Sequence, residues 1–338
     1  MEEQMIQHTE RLFQTTREIE GLYPHVHIWG WPIATYLFLG GLAAGILLFA
    51  TLYYLKGKEN DMPFTVKIAP IFTFIIISIG LMLLVYDLHH KLYVWRLFMT
   101  FRIESPMSWG AWTLVAVSIL SLLWPLSYID DIEAYLHERG WKKLDKITRF
   151  IRNLEHNWLI PRFIILTFRK YRKFFAYILL FLSIILGIYT GILLSAFNAH
   201  PLWNNPILGP LFLTSGVSTG SAFVMWLSNN KKERRLMSTI DMALIATELF
   251  FIIHMIMGMQ AGPEAFKQAA HLFLGGEFTV IFWVVFVGMG LVLPFILEAL
   301  ELKGFHIPPA LPAILVLIGG YIFRMIIVYA GQMSAYPF

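Results

Sequence analysis

The sequence predicts an all-α integral membrane protein with eight transmembrane helices, arranged as two four-helix bundles related by a parallel repeat. Hydrophobic residues make up 57% of the 338 residues and charged residues only 14%, too little polar surface to cover a soluble protein of this size. Eight apolar stretches also match the roughly 20 residues that cross a bilayer core. In lipid each stretch must be helical, because a helix pairs its own backbone groups.

The eight stretches follow one another with short connections, except for one long loop after the third. They cover residues 32–55, 67–87, 108–129, 175–197, 206–228, 239–259, 278–299 and 309–331. The fifth begins with Pro206 and Pro210, and the sixth contains Asp241, Glu248 and His254, so these two carry the weakest apolar signal. On this division, residues 32–129 and 175–197 form the first bundle and residues 206–331 form the second.

The basic residues predict the orientation. An even number of spans places both termini on one side, where six lysines and arginines lie, against nineteen on the other side, with Arg324 inside the last span. Basic loops stay in the cytoplasm. We therefore expect an inner (cytoplasmic) membrane protein with both termini periplasmic, a periplasmic segment 1–31 and a cytoplasmic loop 130–174. That loop alternates apolar and basic residues, which favours amphipathic helix on an anionic leaflet over a solvated linker.

Two pairs of similar segments predict the repeat. LFLGGLAAG at 37–45 is similar to LFLTSGVSTG at 211–220, and Gly187-Ile188-Tyr189 is similar to Gly319-Gly320-Tyr321. Helices that match in this way run in the same direction, as a parallel repeat requires. Chance similarity is the alternative, since leucine and glycine abound in membrane helices. The i, i+4 glycines predict close helix packing at Gly41/Gly45, Gly187/Gly191 and Gly216/Gly220.

Composition also limits the chemistry. The chain has no cysteine and therefore no ligand for an iron–sulfur cluster of its own. Haem is disfavoured because only His254 lies clearly inside a span, and no metal site is predicted. The net charge of +4 is explained by basic loops, so a nucleic-acid partner is not expected.

Polar residues near the terminal side are candidates for a binding site. Asp87, His90, Tyr189 and Asn198 end outward-running spans, and Tyr36 begins the first span at the same depth. Trp29, Trp31, Trp109 and Trp203 are interpreted instead as aromatic anchors at the membrane interface.

Three ionisable residues of the second bundle are candidates for a proton pathway: Glu248, His254 and Arg324. Glu248 and His254 are six residues apart, so they lie on different helix faces. The alternative is a structural role, in which Arg324 pairs with Glu248 or Asp241.

Several segments carry a family resemblance, in order along most of the chain. They are YLFLGGLAAG (36–45), Asp87, SPMSWGAW (105–112), YTGILLS (189–195), Pro201-Leu202-Trp203, PLFLTSGVSTGSA (210–222) and GGYIFRMIIVYAGQ (319–332). This set resembles the NrfD/polysulfide-reductase membrane-subunit family. The resemblance implies a subunit that holds no cofactor of its own and exchanges electrons and protons with menaquinone or ubiquinone. It also implies a periplasmic ferredoxin-like iron–sulfur partner and often a molybdopterin catalytic subunit.

By this resemblance, Tyr36, Asp87 and Tyr189 form the quinone site, with His90 and Asn198 at its rim. Tyrosine, histidine and aspartate beside an apolar slot supply the hydrogen bonds and proton relays that a quinone headgroup needs. A secondary transporter with a parallel repeat is one alternative, and a purely structural anchor is another.

Overall fold

A computed structural model describes residues 29–88, 90–99, 101–138 and 142–334, and the described chain forms helices but no strand. Eight of its helices are long and apolar enough to cross a membrane, which confirms the predicted number. We name them α1 to α8: Trp31–Leu55, Phe64–Asp87, Pro106–Leu126, Arg172–Ser195, Leu208–Leu227, Lys231–Ala261, Ile281–Leu302 and Ala310–Met333. Residues 1–28, most of the predicted N-terminal segment, lie outside the described residues.

The largest difference from the predicted bounds is the start of α6. The helix begins at Lys231, eight residues before the predicted apolar stretch, because Asn230 caps it by accepting a hydrogen bond from the Lys232 N–H at 3.0 Å. Glu233 is buried in this first turn, where it accepts hydrogen bonds from the Phe64 N–H (3.0 Å) and the Ser228 hydroxyl (2.5 Å). Hydropathy indicates the lipid-facing part of a helix, but it does not detect the polar turns that extend the helix.

The bundle has two ends. We call the end at which α1 begins and α8 ends the terminus face, and the opposite end, with the basic loops, the basic face. The start of α1 and the end of α8 are joined at the terminus face by reciprocal bonds: the Trp29 N–H donates to Gln332 Oε1 at 2.8 Å, and Gln332 Nε2 donates to the Trp29 carbonyl at 2.7 Å.

The helices α1 and α5 form the centre of the molecule. Each contacts α4 and α8, and α1 also contacts α2 while α5 also contacts α6. The outer pairs are α2 with α3, α3 with α4, α6 with α7, and α7 with α8. Two four-helix bundles joined through α1 and α5 would have these neighbours. The division into two four-helix bundles and the parallel repeat both stay predictions.

Glycines bring α1 and α5 into backbone contact. A Cβ atom on Gly45 would lie 2.2 Å from the Gly216 carbonyl oxygen, and one on Gly220 would lie 2.6 Å from the Gly45 carbonyl carbon. No other residue fits at that separation, so the predicted close packing at these glycines is confirmed. The i, i+4 spacing left the partner open, and the structure shows that the two glycine pairs face each other.

The predicted loop 130–174 contains helices Ile129–Glu138, Lys142–Asn157 and Leu159–Lys170. Ion pairs attach it to the bundle and to itself, including Lys67–Asp131 at 2.9 Å and Arg152–Glu133 at 2.7 Å. Just before it, the Tyr128 hydroxyl donates to Glu59 at 2.9 Å, and burial raises the pKa of this phenol. An apolar cavity of about 460 Å³ lies between this loop, α2 and the end of α3. The location of the loop 130–174 on a membrane leaflet stays a prediction.

Candidate functional site

Two tyrosines from different helices are buried in the half of α1 and α4 nearest the terminus face. Tyr36 of α1 is 5% exposed and Tyr189 of α4 is 7% exposed. Their phenol groups are close enough to interact electrostatically. Two of the predicted site residues are therefore brought together in the interior.

Each tyrosine ring packs where a glycine leaves space. A Cβ atom on Gly80 of α2 would lie 3.4 Å from Tyr36 Cδ2, and one on Gly110 of α3 would lie only 1.8 Å from Tyr189 Cζ. The pair is thus enclosed by α1, α2, α3 and α4. Gly80 and Gly110 lie within apolar stretches, where a glycine gives no signal of which side chain it faces.

The orientation of Tyr189 follows from the helix period. Gly187 and Gly191 hold α4 against α5, because a Cβ atom on Gly191 would lie 2.3 Å from the Leu208 carbonyl oxygen. Tyr189 is two residues from each of them, so it points to the opposite side of the helix. That side faces α3 and Gly110. Packing of α4 on α5 therefore aims the phenol into the first group of helices.

The remaining predicted site residues lie at the terminus face. Asp87 is the last residue of α2 and is half-buried, beside Tyr86, whose ring lies 6.4 Å from that of Trp31. His90 is exposed, with its ring 6.3 Å from that of Tyr93, and Asn198 is exposed beyond the end of α4. These three residues are less buried than the tyrosine pair, and their place at the rim of a common site stays a prediction.

A recess of about 260 Å³ opens at the terminus face, at the start of α3. Arg96, Leu97, Arg102, Ser105, Met107 and Ser108 line it. The Ser108 hydroxyl stabilises its wall by accepting a hydrogen bond from the Arg102 N–H at 3.1 Å. Ser108 is two residues before Gly110, so it points to the opposite side of α3 from the glycine that contacts Tyr189. The recess is therefore separate from the space around the two phenols.

The prediction for Trp203 was wrong. We interpreted this residue as an interfacial anchor, but its side chain is fully buried and donates from Nε1 to the Ile327 carbonyl at 2.8 Å. Gly331 makes room for the indole, since a Cβ there would lie 1.8 Å from Nε1. The prediction was wrong because a buried carbonyl satisfies the indole N–H as well as the membrane interface does. Trp31 and Trp109 are about half exposed, as anchors are.

A second polar group lies where α1, α5 and α8 meet. Arg324 of α8 is 1% exposed and donates to the Ser215 hydroxyl, the Gly320 carbonyl (3.2 Å) and the Phe212 carbonyl (3.1 Å). Its guanidinium also lies 5.0 Å from the centre of the Phe212 ring. Carbonyl dipoles, a hydroxyl and an aromatic face therefore solvate this cation.

Glu248 of α6 belongs to the same group. It is also 1% exposed, and it interacts with the Ser215 hydroxyl and with the charge of Arg324. Ser215 thus links the two ionisable residues. His254 is on the outside of α6, where its ring packs on Phe250 at 3.9 Å. The structure separates it from Glu248, as the six-residue spacing predicts.

Sequence reasoning overlooked Glu298. This residue of α7 is fully buried and faces Asp241 of α6, which accepts hydrogen bonds from Ser218 at 2.7 Å and Ser221 at 2.8 Å. A signal was available, since Glu298 falls just inside the predicted span 278–299. That signal is weak, because Glu298 lies near the end of the span, where acidic side chains usually reach water.

Known proteins are similar to this chain over most of its length. The family model described as "Polysulphide reductase, NrfD" matches residues 20–335. Protein NrfD of Escherichia coli is 29% identical over 324 residues, 91% of this chain and 96% of the relative. One chain of the polysulfide reductase of Wolinella succinogenes is 31% identical over 320 residues, 90% of this chain and 94% of the relative. One subunit of the selenate reductase of Mesobacillus selenatarsenatis is 23% identical over 325 residues, 90% of this chain and 74% of the relative.

The family match covers most of the chain, and the eight apolar helices agree with a membrane subunit. The resemblance found from the sequence motifs is confirmed. This chain is a multi-pass membrane protein that belongs to the NrfD (polysulphide reductase) family.

Proposed function

We propose that this chain is the quinone-reactive membrane subunit of a multi-subunit respiratory oxidoreductase. The observation that carries the proposal is the buried pair Tyr36–Tyr189, two phenols packed among four helices of a membrane protein. Phenols donate and accept hydrogen bonds. They can therefore bind the carbonyl oxygens of menaquinone or ubiquinone, whose isoprenoid tail stays in lipid.

Quinone reduction consumes two electrons and two protons, and quinol oxidation releases them. We propose that Asp87 and His90 exchange protons between the phenols and water at the terminus face, and that the Asn198 amide hydrogen-bonds to the headgroup at the same rim.

The electrons must enter or leave through another chain, because this one has no cysteine to hold a cluster. We propose a ferredoxin-like iron–sulfur partner at the terminus face, and a catalytic subunit of the molybdopterin type beyond it. A catalytic partner is supported by two of the relatives, since one is named as a chain of polysulfide reductase and the other as a subunit of selenate reductase.

The proposed orientation places the terminus face in the periplasm and the chain in the inner membrane. It is supported by the nineteen lysines and arginines in loops of the basic face against six at the other end. The iron–sulfur partner would then dock on the same side as the tyrosine pair. The parallel repeat of two bundles belongs to the same proposal and is supported by the helix neighbours.

We further propose that the second group of helices transfers protons. The buried Glu248–Ser215–Arg324 group supports this role, because each member can pass or orient a proton in a region without water. His254 faces outward on α6, so Glu248 and Arg324 are the stronger candidates.

The test compares Tyr189→Phe and Asp87→Asn with the control Tyr177→Phe. Tyr177 is also on α4 but is 56% exposed, so the control removes a hydroxyl that lies outside the site. We expect the two site variants to lower quinol-linked turnover at least about 100-fold and the control to leave it unchanged. Co-purification of the partner chains should be normal in all three.

Normal turnover in Tyr189→Phe and Asp87→Asn would refute the site. Purification also separates the alternatives: a redox subunit brings iron–sulfur absorbance from its partners, whereas a secondary transporter does not. A structural anchor would bring that absorbance but would tolerate both site substitutions.

A further inference from the structure

Asp241 of α6 and Glu298 of α7 form a buried carboxyl pair that the quinone site does not use. Both side chains are fully buried, and they are close enough for their charges to interact. One oxygen of Asp241 accepts the bonds from Ser218 and Ser221. The other oxygen of Asp241 and both oxygens of Glu298 are buried without a hydrogen-bond partner in the described part of the chain.

Two adjacent carboxylates cannot both be charged here. Burial in an apolar bundle removes the water that would stabilise each charge, and mutual repulsion adds to that cost. The charged and polar neighbours do not compensate: α5 presents hydroxyl groups, α6 presents Glu248 two turns away, and α7 presents Glu301 one turn away. The unpaired oxygens that face each other therefore fit a shared proton.

We propose that Asp241 and Glu298 hold one proton between them and form a proton-binding site that exchanges with the basic face. Glu301 provides the connection. It lies one helical turn from Glu298, is partly exposed, and interacts with the charge of Arg234 at the start of α6. A proton can thus reach the pair from water without crossing the apolar part of the bundle.

Polar side chains extend from the carboxyl pair toward the middle of the bundle. Ser218, which donates to Asp241, is one turn from Ser215 on α5, and Ser215 contacts both Glu248 and Arg324. Glu248 lies about 10 Å from Asp241 along the axis of α6. Hydroxyl groups therefore bridge the carboxyl pair and the buried Glu248–Ser215–Arg324 group. The coupling to quinol turnover rests on the proposed function, but the proton binding does not.

The direct test is infrared spectroscopy of the purified full-length protein in lipid nanodiscs without quinone. A neutral carboxyl group gives a C=O stretching band that shifts in deuterium oxide. We expect this band at neutral pH in the wild type, its loss in Glu298→Gln, and a shifted band in Asp241→Asn. The control Glu264→Gln, an exposed acid on the terminus face, should leave it unchanged.

Three results would overturn the proposal: a band unchanged in both Glu298→Gln and Asp241→Asn, no such band in the wild type, or a band lost when sodium is added. The last would mean that the pair binds a metal cation instead. If Glu298→Gln fails to assemble, Asp241→Asn decides alone, since it keeps a carboxyl at 298 and changes its neighbour.

Assays on the reconstituted complex distinguish this inference from the proposed function. During quinone reduction in proteoliposomes, Glu298→Gln should slow proton uptake from the basic face at least about tenfold, while turnover in detergent stays normal. Tyr189→Phe should stop turnover in both settings. Normal turnover in Tyr189→Phe refutes the quinone site alone, and unchanged uptake in Glu298→Gln refutes the proton route alone.

Discussion

Gly110→Ala tests whether the position of Tyr189 sets the activity. The new methyl carbon would lie 1.8 Å from Tyr189 Cζ and 2.1 Å from its hydroxyl oxygen. Carbon atoms in contact are about 3.5 Å apart, so the phenol ring must move by roughly 1.7 Å. Displacement of a catalytic group by about 1 Å can cost 100-fold in rate. We therefore expect quinol-linked turnover to fall by about 100-fold or more, although residue 110 itself supplies no polar group.

The assay is turnover of the purified complex with a short-chain quinol in detergent. Gly258→Ala is the matched control, because it is also a helical glycine of an apolar helix and has nothing within 4 Å of the added carbon. The control should keep full activity and gain up to about 1 kcal/mol of stability from helix propensity.

A double mutant tests whether the loss of turnover in Gly110→Ala depends on the hydroxyl group of Tyr189. In the Tyr189→Phe background, Gly110→Ala should add little further loss, because two changes that remove one interaction are not additive. Full additivity of the two losses, or turnover of Gly110→Ala within about twofold of the wild type, would refute the reasoning. Either outcome would mean that Tyr189 only fills space.

Two further predictions concern stability. Gly45→Ala forces a methyl group against the Gly216 carbonyl, so it should lower the free energy of unfolding by about 1–3 kcal/mol relative to Gly258→Ala in denaturant titrations; equal midpoints would contradict the close contact of α1 and α5. Burial raises the pKa of Tyr128, so this phenol favours folding below its ordinary pKa of about 10 and loses that contribution as pH rises toward its folded value. Wild-type stability should therefore fall above about pH 10, and Tyr128→Phe should make that fall smaller; an identical pH dependence would contradict it.

The hydropathy pattern was sufficient to predict the number of apolar helices and the approximate position of each one. It predicted less well where polar residues continue a helix, as in the first turn of α6, since Glu233 is satisfied there by hydrogen bonds from its neighbours. The spacing along the chain also predicted that Glu248 and His254 lie on different faces of α6. That arrangement is a local property, which the helix period alone determines.

Contacts between helices were not predictable in the same way. The sequence placed Tyr36 and Tyr189 at one depth but gave no distance between them. It also gave no reason to pair Asp241 with Glu298. The segment Ile281–Val292 of α7 is a π-helix, whose wider turns rotate every later residue relative to an ordinary helix. The face on which Glu298 lies therefore depends on a backbone feature that hydrophobic periodicity cannot reveal.

Arg324 connects the two proposed sites. Its Nη2 atom would lie 3.3 Å from a Cβ atom on Gly41, five residues after Tyr36 on α1, so about 7.5 Å of helix axis separates the arginine from the tyrosine pair. Its other guanidinium nitrogen, Nη1, donates to Ser215, which contacts Glu248. Charges at such a distance interact more strongly in an apolar interior than in water. A proton gained or lost at the tyrosines therefore changes the field at Glu248 through this cation, and coupling between the two halves needs no large movement of the helices.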